Sequence, residues 1–589
     1  MKKKRRIWWK SIVPILASTM LLTGCDARSA LKDSDLVLLM PDETYEKKEA
    51  EYYQLLEDKE SLYEETPEIK VLYMTVGQGS EKDGTNHTLK ELHSKELAWF
   101  DEEKIDPYKC EAVVQFGNEE GPVLGMFGYG VMSANATVEL SGYKASARPQ
   151  KSYKVKIKSG EGNVDGMKTL ILSKSFSDPL RITNKLCYEL IREIPELLST
   201  RTSFVHLYIK DVTEERDTKF VDYGLYTMVE PINKRYLENR GLDKSGELYK
   251  AIDFDWQRHE DVIMQPMDGR YDKKQFEKLL KSKGSNDYSK LLTVLDKVND
   301  ESIPIEDTVE QYFDEENLYT FMAFNILMNN QDTDTANYYI YSPVGTNKFY
   351  FITWDNDGAL RYDYELLKDS TYDPGWKKGA FLFHQSVLFQ RILKSEACVN
   401  RLSEKIDQLY HGTLAPKHVA AKADELASVA KEYIYALPDM SYARVTSENY
   451  DVLLDKIGLQ IEQNFYSYYD SIEGPWPFCI EEVKRDGENI AVTWENSFAL
   501  GMDVTYHVQV ARDWTFDSPV ADEEGLTQNT LVIGNLPPGQ YFLRITAVSD
   551  NGNEMGAGEY YNTEKKTTVN NALCFYVFED GSVAESTFR

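Results

Sequence analysis

Two short acidic stretches stand one aromatic segment apart in this chain: Asn329-Asn330-Gln331-Asp332-Thr333-Asp334-Thr335-Ala336-Asn337 and Trp354-Asp355-Asn356-Asp357-Gly358. Between them, Tyr338-Tyr339-Ile340-Tyr341 and Phe349-Tyr350-Phe351-Ile352-Thr353 read as the two arms of a β-hairpin, so both acidic clusters stand at strand ends and face one crevice. Such a crevice suits metal and phosphate, because Mg²⁺ takes one or two carboxylates together with phosphate oxygens and water. Asn337 follows Asp332 by five residues, the spacing of the Asp-x-x-x-x-Asn loop that positions an acceptor hydroxyl and a metal ion in phosphoryl transfer. Asp355 comes one hairpin further on, where that arrangement carries its other metal-ligating acid. Asp and Asn at strand ends also serve as plain turn formers. The whole constellation beside aromatic strands points instead to Asp332 as proton acceptor and to Asn337 and Asp355 as metal ligands, with Asp357 as a further ligand.

Periodicity predicts the elements that must hold these residues. Strand-like runs fall at 69–76, 110–116, 136–140, 153–157, 169–172, 204–209 and 223–229. A helix beginning near Asp178 interrupts them, with Leu180, Ile182, Leu186, Leu190 and Ile191 at helical spacing. From about residue 270 the pattern turns helical, and the apolar run 318–328 leads straight into the Asp332 cluster; further helices are expected over 399–410 and 417–436. The expected class is α+β, an atypical kinase-like two-lobed fold with a β-rich N-lobe, a helical C-lobe and the acids at their junction. Pro475-Trp476-Pro477 marks a boundary, beyond which short alternating runs at 490–494, 506–510, 531–533 and 541–548 predict an all-β sandwich. Trp494, with Leu536-Pro537-Pro538-Gly539-Gln540-Tyr541, resembles a fibronectin type III module, with Tyr541 at the tyrosine-corner position.

Over roughly residues 67–470 the chain resembles the CotH kinase family, atypical secreted kinases first named from a spore-coat protein. The segments that carry the likeness run in order: Asn135-Ala136-Thr137-Val138-Glu139-Leu140, Lys151-Ser152-Tyr153-Lys154, Asp178-Pro179-Leu180-Arg181, Gly224-Leu225-Tyr226, Glu247-Leu248-Tyr249-Lys250, Asn330-Gln331-Asp332 and Trp354-Asp355-Asn356-Asp357. Three places depart from the family pattern. Ser141-Gly142 replaces an Arg-Gly pair in the loop expected near phosphate, Asn330-Gln331-Asp332 replaces Asn-Trp-Asp, and Trp354-Asp355-Asn356-Asp357 replaces Trp-Asp-Leu-Asp; the last two keep their acids. The resemblance implies a kinase that uses ATP and Mg²⁺ or Mn²⁺ to phosphorylate Ser/Thr of a secreted or surface protein. It favours Lys151, or else Lys154, as the cation against the phosphates, although a lysine alternating with Tyr153 and Val155 also fits the solvated face of a strand. Glu230 would lie near the adenine, or else pair with Lys234 or Arg235. Asp178 and Arg181 would support the site, or else simply cap a helix and supply a first-turn charge.

The ends of the chain add location. Lys2, Lys3, Lys4, Arg5, Arg6 and Lys10 precede an apolar run and Leu22-Thr23-Gly24-Cys25, which reads as a lipoprotein signal over 1–25 with lipidation at Cys25. Two acyl chains suffice for stable anchoring to the membrane. Residues 26–66 are polar and acidic and read as a tether, followed by a kinase-like domain at 67–472 and a fibronectin-like domain at 475–575. The formal charge of −30 argues against nucleic acid as main partner, since phosphate backbones are bound by basic surface. Six scattered cysteines without a Cys-x-x-Cys pair, and no His-Glu-x-x-His, give neither a disulfide scaffold nor a zinc site; Cys479 and Cys574 could bridge or remain buried thiols. Two other readings stay open: a non-catalytic surface protein contacting cell-wall glycan or protein on a kinase-like scaffold, and a nucleotidyl transferase or metal-assisted hydrolase using the same acids.

Overall fold

The computed structural model describes residues 59–63, 69–214, 218–360, 377–563 and 568–586. The expected signal, Cys25 and all but 59–63 of the expected tether lie outside the described residues. The fold is mixed α+β, with separate hydrophobic cores for a β-rich part, a largely helical part and a C-terminal all-β part.

Alternating apolar residues form strands β1 (Lys70–Gly77), β2 (Cys110–Asn118), β3 (Gly121–Pro122), β4 (Ala136–Leu140), β5 (Tyr153–Ile157), β6 (Thr169–Ser173), β7 (Thr202–Asp211) and β8 (Val221–Val229). They run in the order β1-β7-β8-β6-β5-β4-β2-β3. Because β1 pairs in parallel with β7 and antiparallel with β2, from Val71↔Gly117 to Gly77↔Glu111, the sheet closes into a barrel. Closure removes the free edges that would template aggregation. Leu72, Met74, Val114, Val138, Val155, Leu172 and Leu207 fill the interior, as expected where a small barrel leaves room only for side chains.

In the second core, α1 (Thr183–Ile191), α2 (Glu315–Leu327), α3 (Glu396–His411), α4 (Pro416–Ile434) and α5 (Ile457–Ile472) surround a sheet ordered β10-β9-β11-β12, from β9 (Glu247–Ala251), β10 (Leu280–Ser282), β11 (Tyr338–Ser342) and β12 (Tyr350–Thr353). Helix α2 is apolar on nearly every side, the pattern of a helix buried all round. Its Asp314 side chain caps the first turn through the Asn317 N–H, and Phe321 stacks on Phe351 of β12 at 4.8 Å. Every residue of β11 and β12 is buried, which explains why these strands read as unbroken aromatic runs rather than as alternating ones. The expected hairpin is present, from Tyr338↔Thr353 to Tyr341↔Tyr350.

The C-terminal part holds three antiparallel sheets, the two larger of which enclose Val492, Trp494, Val508, Leu543 and Phe575. Tyr541 donates its hydroxyl to the carbonyl of Pro537 at 2.7 Å. Cys479 is exposed, Cys574 is buried, and all five described cysteines are free thiols. Among the described residues no helix is long and apolar enough to cross a membrane.

Candidate active site

The hairpin brings its flanking acids together. Asn337 immediately precedes β11 and Asp355 follows β12 by one residue, and the Trp354 N–H donates to the Asn337 carbonyl at 3.1 Å. Both residues adopt left-handed backbone, Asn337 at φ 61° and Asp355 at φ 58°, a conformation that Asn and Asp tolerate better than most side chains. Three donors fix the turn beyond Asp355. The Asp355 N–H donates to the Tyr188 hydroxyl at 3.1 Å, the Asn356 N–H to the Asn184 Oδ1 at 3.0 Å, and the Leu360 N–H to the Met328 carbonyl at 2.8 Å. Helix α1 therefore presents Asn184 and Tyr188 as rigid supports for the second acidic cluster. Asn330 ties in the first, bonding through Nδ2 to Asn325 of α2 at 3.0 Å and to Asn356 at 3.3 Å. Asp332 lies against the turn so closely that a Cβ on Gly358 would stand 2.9 Å from its carboxylate.

Asp332 and Asp357 are exposed while Asp355 and Asn337 are half-buried, so the recess opens to solvent. Burial pushes the Asp355 carboxyl above its ordinary range; Lys250 and Lys144 pull it down and the Asp332 charge adds to the rise. Asp357, although exposed as a residue, is pushed the same way, by desolvation of its carboxyl against the turn and then by the charges of Asp355, Asp332 and Asp178, with Lys144 opposing. Among the described residues no three His, Cys, Asp or Glu side chains are drawn up as metal ligands around one point. What the acids share is mutual repulsion in a recess of hard oxygen donors, and a divalent cation with phosphate oxygens for its other ligands fits that donor set.

Cations ring the acids. Lys250 projects from β9 opposite Tyr339 of β11, with its ammonium 5.5 Å from the Trp354 ring centre; burial lowers its pKa and the Asp355 charge raises it. Lys281 pairs with it across β10, and both Lys281 and Lys283 act on Lys250. Lys283 is in turn lowered by burial and by Lys281 and Lys154. A line of ammonium groups thus leads from Asp355 to a cavity of about 470 Å³ lined by Met167, Thr169, Glu230, Pro231, Tyr236 and Lys283 among others.

The other sequence-predicted residues sit as follows. Lys154 pairs with Glu139 on the neighbouring strand. Lys151 donates to the Ser146 carbonyl at 2.7 Å and so braces the loop that carries Lys144. Glu230 lines the cavity with its carboxylate held by Arg201 at 2.8 and 3.0 Å and by Arg240 at 3.1 Å, rather than by Lys234 or Arg235. Burial would raise its pKa, but the two guanidiniums outweigh burial and hold it low. Asp178 accepts from the Leu180 and Thr183 N–H groups at 2.9 and 2.8 Å, and α1 begins at Thr183 rather than beside Asp178. Arg181 is bonded to Asp439 and Gln150, each at 2.8 Å. Lys144 and Lys250, the cations that act on Asp355, were missed as site residues. Lys250 stands in the Glu247-Leu248-Tyr249-Lys250-Ala251 run, where a single lysine among apolar residues was the sequence signal that could have found it.

Residues 138–464, more than half of the chain, match the family described as "CotH kinase protein", and the chain belongs to that family. No curated protein matches the chain. Among solved structures, the "Twitchin kinase region from C.elegans (Fn31-NL-kin-CRD-Ig26)" aligns with 69% of this chain and 71% of its own at 12% identity, with a TM-score of 0.13 that carries no argument about fold or function.

Proposed function

We propose that this protein is an atypical protein kinase that transfers the γ-phosphate of ATP to Ser/Thr hydroxyls of secreted or surface proteins. The observation that carries the reading is Asp355 at the open end of the hairpin within the electrostatic reach of Lys250 and Lys144, with further lysines toward a cavity of nucleotide size. Phosphoryl transfer is mostly positioning and charge stabilisation, and this is the layout it needs. The base and ribose occupy the cavity beside Glu230 and Pro231. Lys283, Lys154 and Lys250 face successive phosphates, while Arg181 and Lys151 hold the loop from which Lys144 approaches. Asp332, exposed at the mouth, orients the acceptor hydroxyl and takes its proton. Asn337, Asp355 and Asp357 would hold Mg²⁺ or Mn²⁺, which when bound offsets the phosphate charge.

The wider architecture is read in the same spirit. The barrel and the helical core are the two lobes of a kinase-like domain at 67–472, and residues 475–575 are a fibronectin type III-like sandwich suited to protein or wall contact. The Tyr541 to Pro537 bond supports the latter, since it is the hydrogen bond of a tyrosine corner. Leu22-Thr23-Gly24-Cys25 supports a lipid anchor at Cys25 and an extracytoplasmic position.

The test is transfer of label from γ-labelled ATP to a Ser-rich acceptor protein with Mg²⁺ or Mn²⁺. The native chain is expected to label the acceptor, and Asp332→Ala to reduce the rate by about a hundredfold, the weight of a general base. Label arriving only from α-labelled ATP would replace the reading with nucleotidyl transfer. No nucleotide binding with either metal would leave a surface-binding protein. A finer probe is Gly358→Ala, whose new methyl group must displace the Asp332 carboxylate. Turnover is expected to fall about tenfold with ATP affinity unchanged, because small misplacements of a reacting group are expensive; unchanged turnover would remove Asp332 from the chemistry.

A further inference from the structure

We infer that Tyr63, in the short turn Glu60–Tyr63 ahead of the barrel, is a positioning residue for the nucleotide end of the site, an inference that rests on the phosphotransfer reading. Its hydroxyl donates to the Ser199 carbonyl at 2.8 Å and accepts from the Arg240 guanidinium at 3.0 Å. Its ring lies near two cations, with the Arg192 and Arg240 guanidinium carbons 5.7 and 5.8 Å from the ring centre.

Two routes run inward from this contact. Arg240 is fully buried and uses the same terminal nitrogen on the Ser199 carbonyl at 2.8 Å and on Glu230 at 3.1 Å. Glu230 lines the cavity, so the position of Arg240 sets one wall of it. Along the second route, the Ser199 hydroxyl donates to the Tyr188 carbonyl at 2.7 Å, and the Tyr188 hydroxyl holds the Asp355 N–H. The Ser199 carbonyl accepts from Tyr63, Tyr236 and Arg240, which makes it the meeting point of both routes.

The second route ends on backbone already fixed by Asn184, so loss of Tyr63 leaves the acids in place. The first ends on a guanidinium that Tyr63 bonds through its hydroxyl and contacts with its ring. Tyr63 therefore tunes nucleotide affinity rather than turnover.

The experiment compares the full chain with Tyr63→Ala and Tyr63→Phe, by titration with a fluorescent ATP analogue, by steady-state kinetics and by thermal unfolding. For Tyr63→Ala the expected result is an analogue Kd and an ATP KM about fivefold higher, the weight of one hydrogen bond, with kcat within about twofold. Tyr63→Phe keeps the ring beside the two guanidiniums and is expected to recover only a minor part of the lost affinity, since the hydrogen-bonding hydroxyl is missing. Unchanged Kd in folded Tyr63→Ala overturns the inference alone. So does a fall in unfolding midpoint and kcat at constant KM, which is the signature of a purely structural contact. Failure of the unaltered chain to bind the analogue overturns the phosphotransfer reading and this inference with it.

Discussion

Asp355→Asn is expected to lower phosphoryl transfer by about 10³-fold with the fold intact, measured as single-turnover label transfer alongside urea unfolding. A carboxylate about 4 Å from a cation interacts by about 4 kcal/mol at an effective dielectric of 20, and each 1.36 kcal/mol lost from the transition state is tenfold in rate. Asparagine removes that charge while accepting the left-handed backbone at φ 58° and keeping the N–H bond to Tyr188. The companion Asp357→Asn separates site damage from fold damage. Burial, then Asp355, Asp332 and Asp178, raise the Asp357 pKa above its unfolded value. The folded chain therefore binds more protons there than the unfolded one, and stability falls as pH rises from the ordinary carboxylate range through the raised value. Asp357→Asn is then expected to be more stable than native at pH 7 without divalent cations, by an amount that solvent screening at this exposed position keeps small, with the difference vanishing below about pH 4. A destabilised Asp357→Asn would show that the carboxylates hold the recess together rather than strain it. Near-normal turnover by Asp355→Asn would remove that residue from the mechanism.

Much of this site was legible because its parts are local. The hairpin and its flanking acids occupy one continuous stretch, and aromatic runs at 338–341 and 349–353 left little choice of element. Strands such as Ala136–Leu140 and Tyr153–Ile157 have the bounds that period-2 alternation gives them, since one face of each is buried in the barrel. Closure of that barrel was not legible. It depends on β1 taking partners on both sides, and alternation identifies a strand without naming its neighbours. The partners of Glu230 escaped for the same reason: Lys234 and Arg235 are near in sequence, whereas Arg201 is 29 residues away, just ahead of β7, and approaches only after the strands pair. Lys250 was hidden by its type. A lysine in a strand usually marks the solvated face, but β9 is covered on both faces, so its one ammonium is turned toward Asp355. Asp178 misled about where a helix starts, because its carboxylate caps Thr183 from five residues upstream across an intervening turn.

The largest stability effect is expected from Asp439, a residue with no part in the chemistry. Its carboxylate is fully buried and accepts from Lys174 at 2.7 Å, Arg181 at 2.8 Å, Gln150 at 2.7 Å and the Leu225 N–H at 2.8 Å. These partners belong to the barrel strands, to the approach to α1 and to the base of the Lys144 loop, so one side chain from beyond α4 joins both cores. Gly224 leaves room for it: a Cβ there would stand 2.1 Å from the carboxylate, and the backbone at φ 75° independently favours glycine. Burial would raise the Asp439 pKa, but Lys174 and Arg181 outweigh burial and hold it down. Its contribution is thus present above the ordinary carboxylate range and is lost as pH falls through the depressed value. Asp439→Ala leaves two buried cations uncompensated and is expected to destabilise the chain by about 3–5 kcal/mol in urea unfolding. Asp439→Asn keeps one acceptor oxygen, enough for Gln150 or for Leu225 but not for both, and loses the charge. Burial already brings the Lys174 pKa to about 8, with Asp439 holding it up, so Asn at 439 is expected to let Lys174 shed its proton at neutral pH. Asp439→Asn should then lose less stability than Asp439→Ala, and its deficit should shrink as pH rises from 6 to 8, because a neutral amine needs no counter-charge. A pH-independent deficit equal in the two variants would mean that Asp439 acts through packing alone, and that the join between the cores does not depend on its charge.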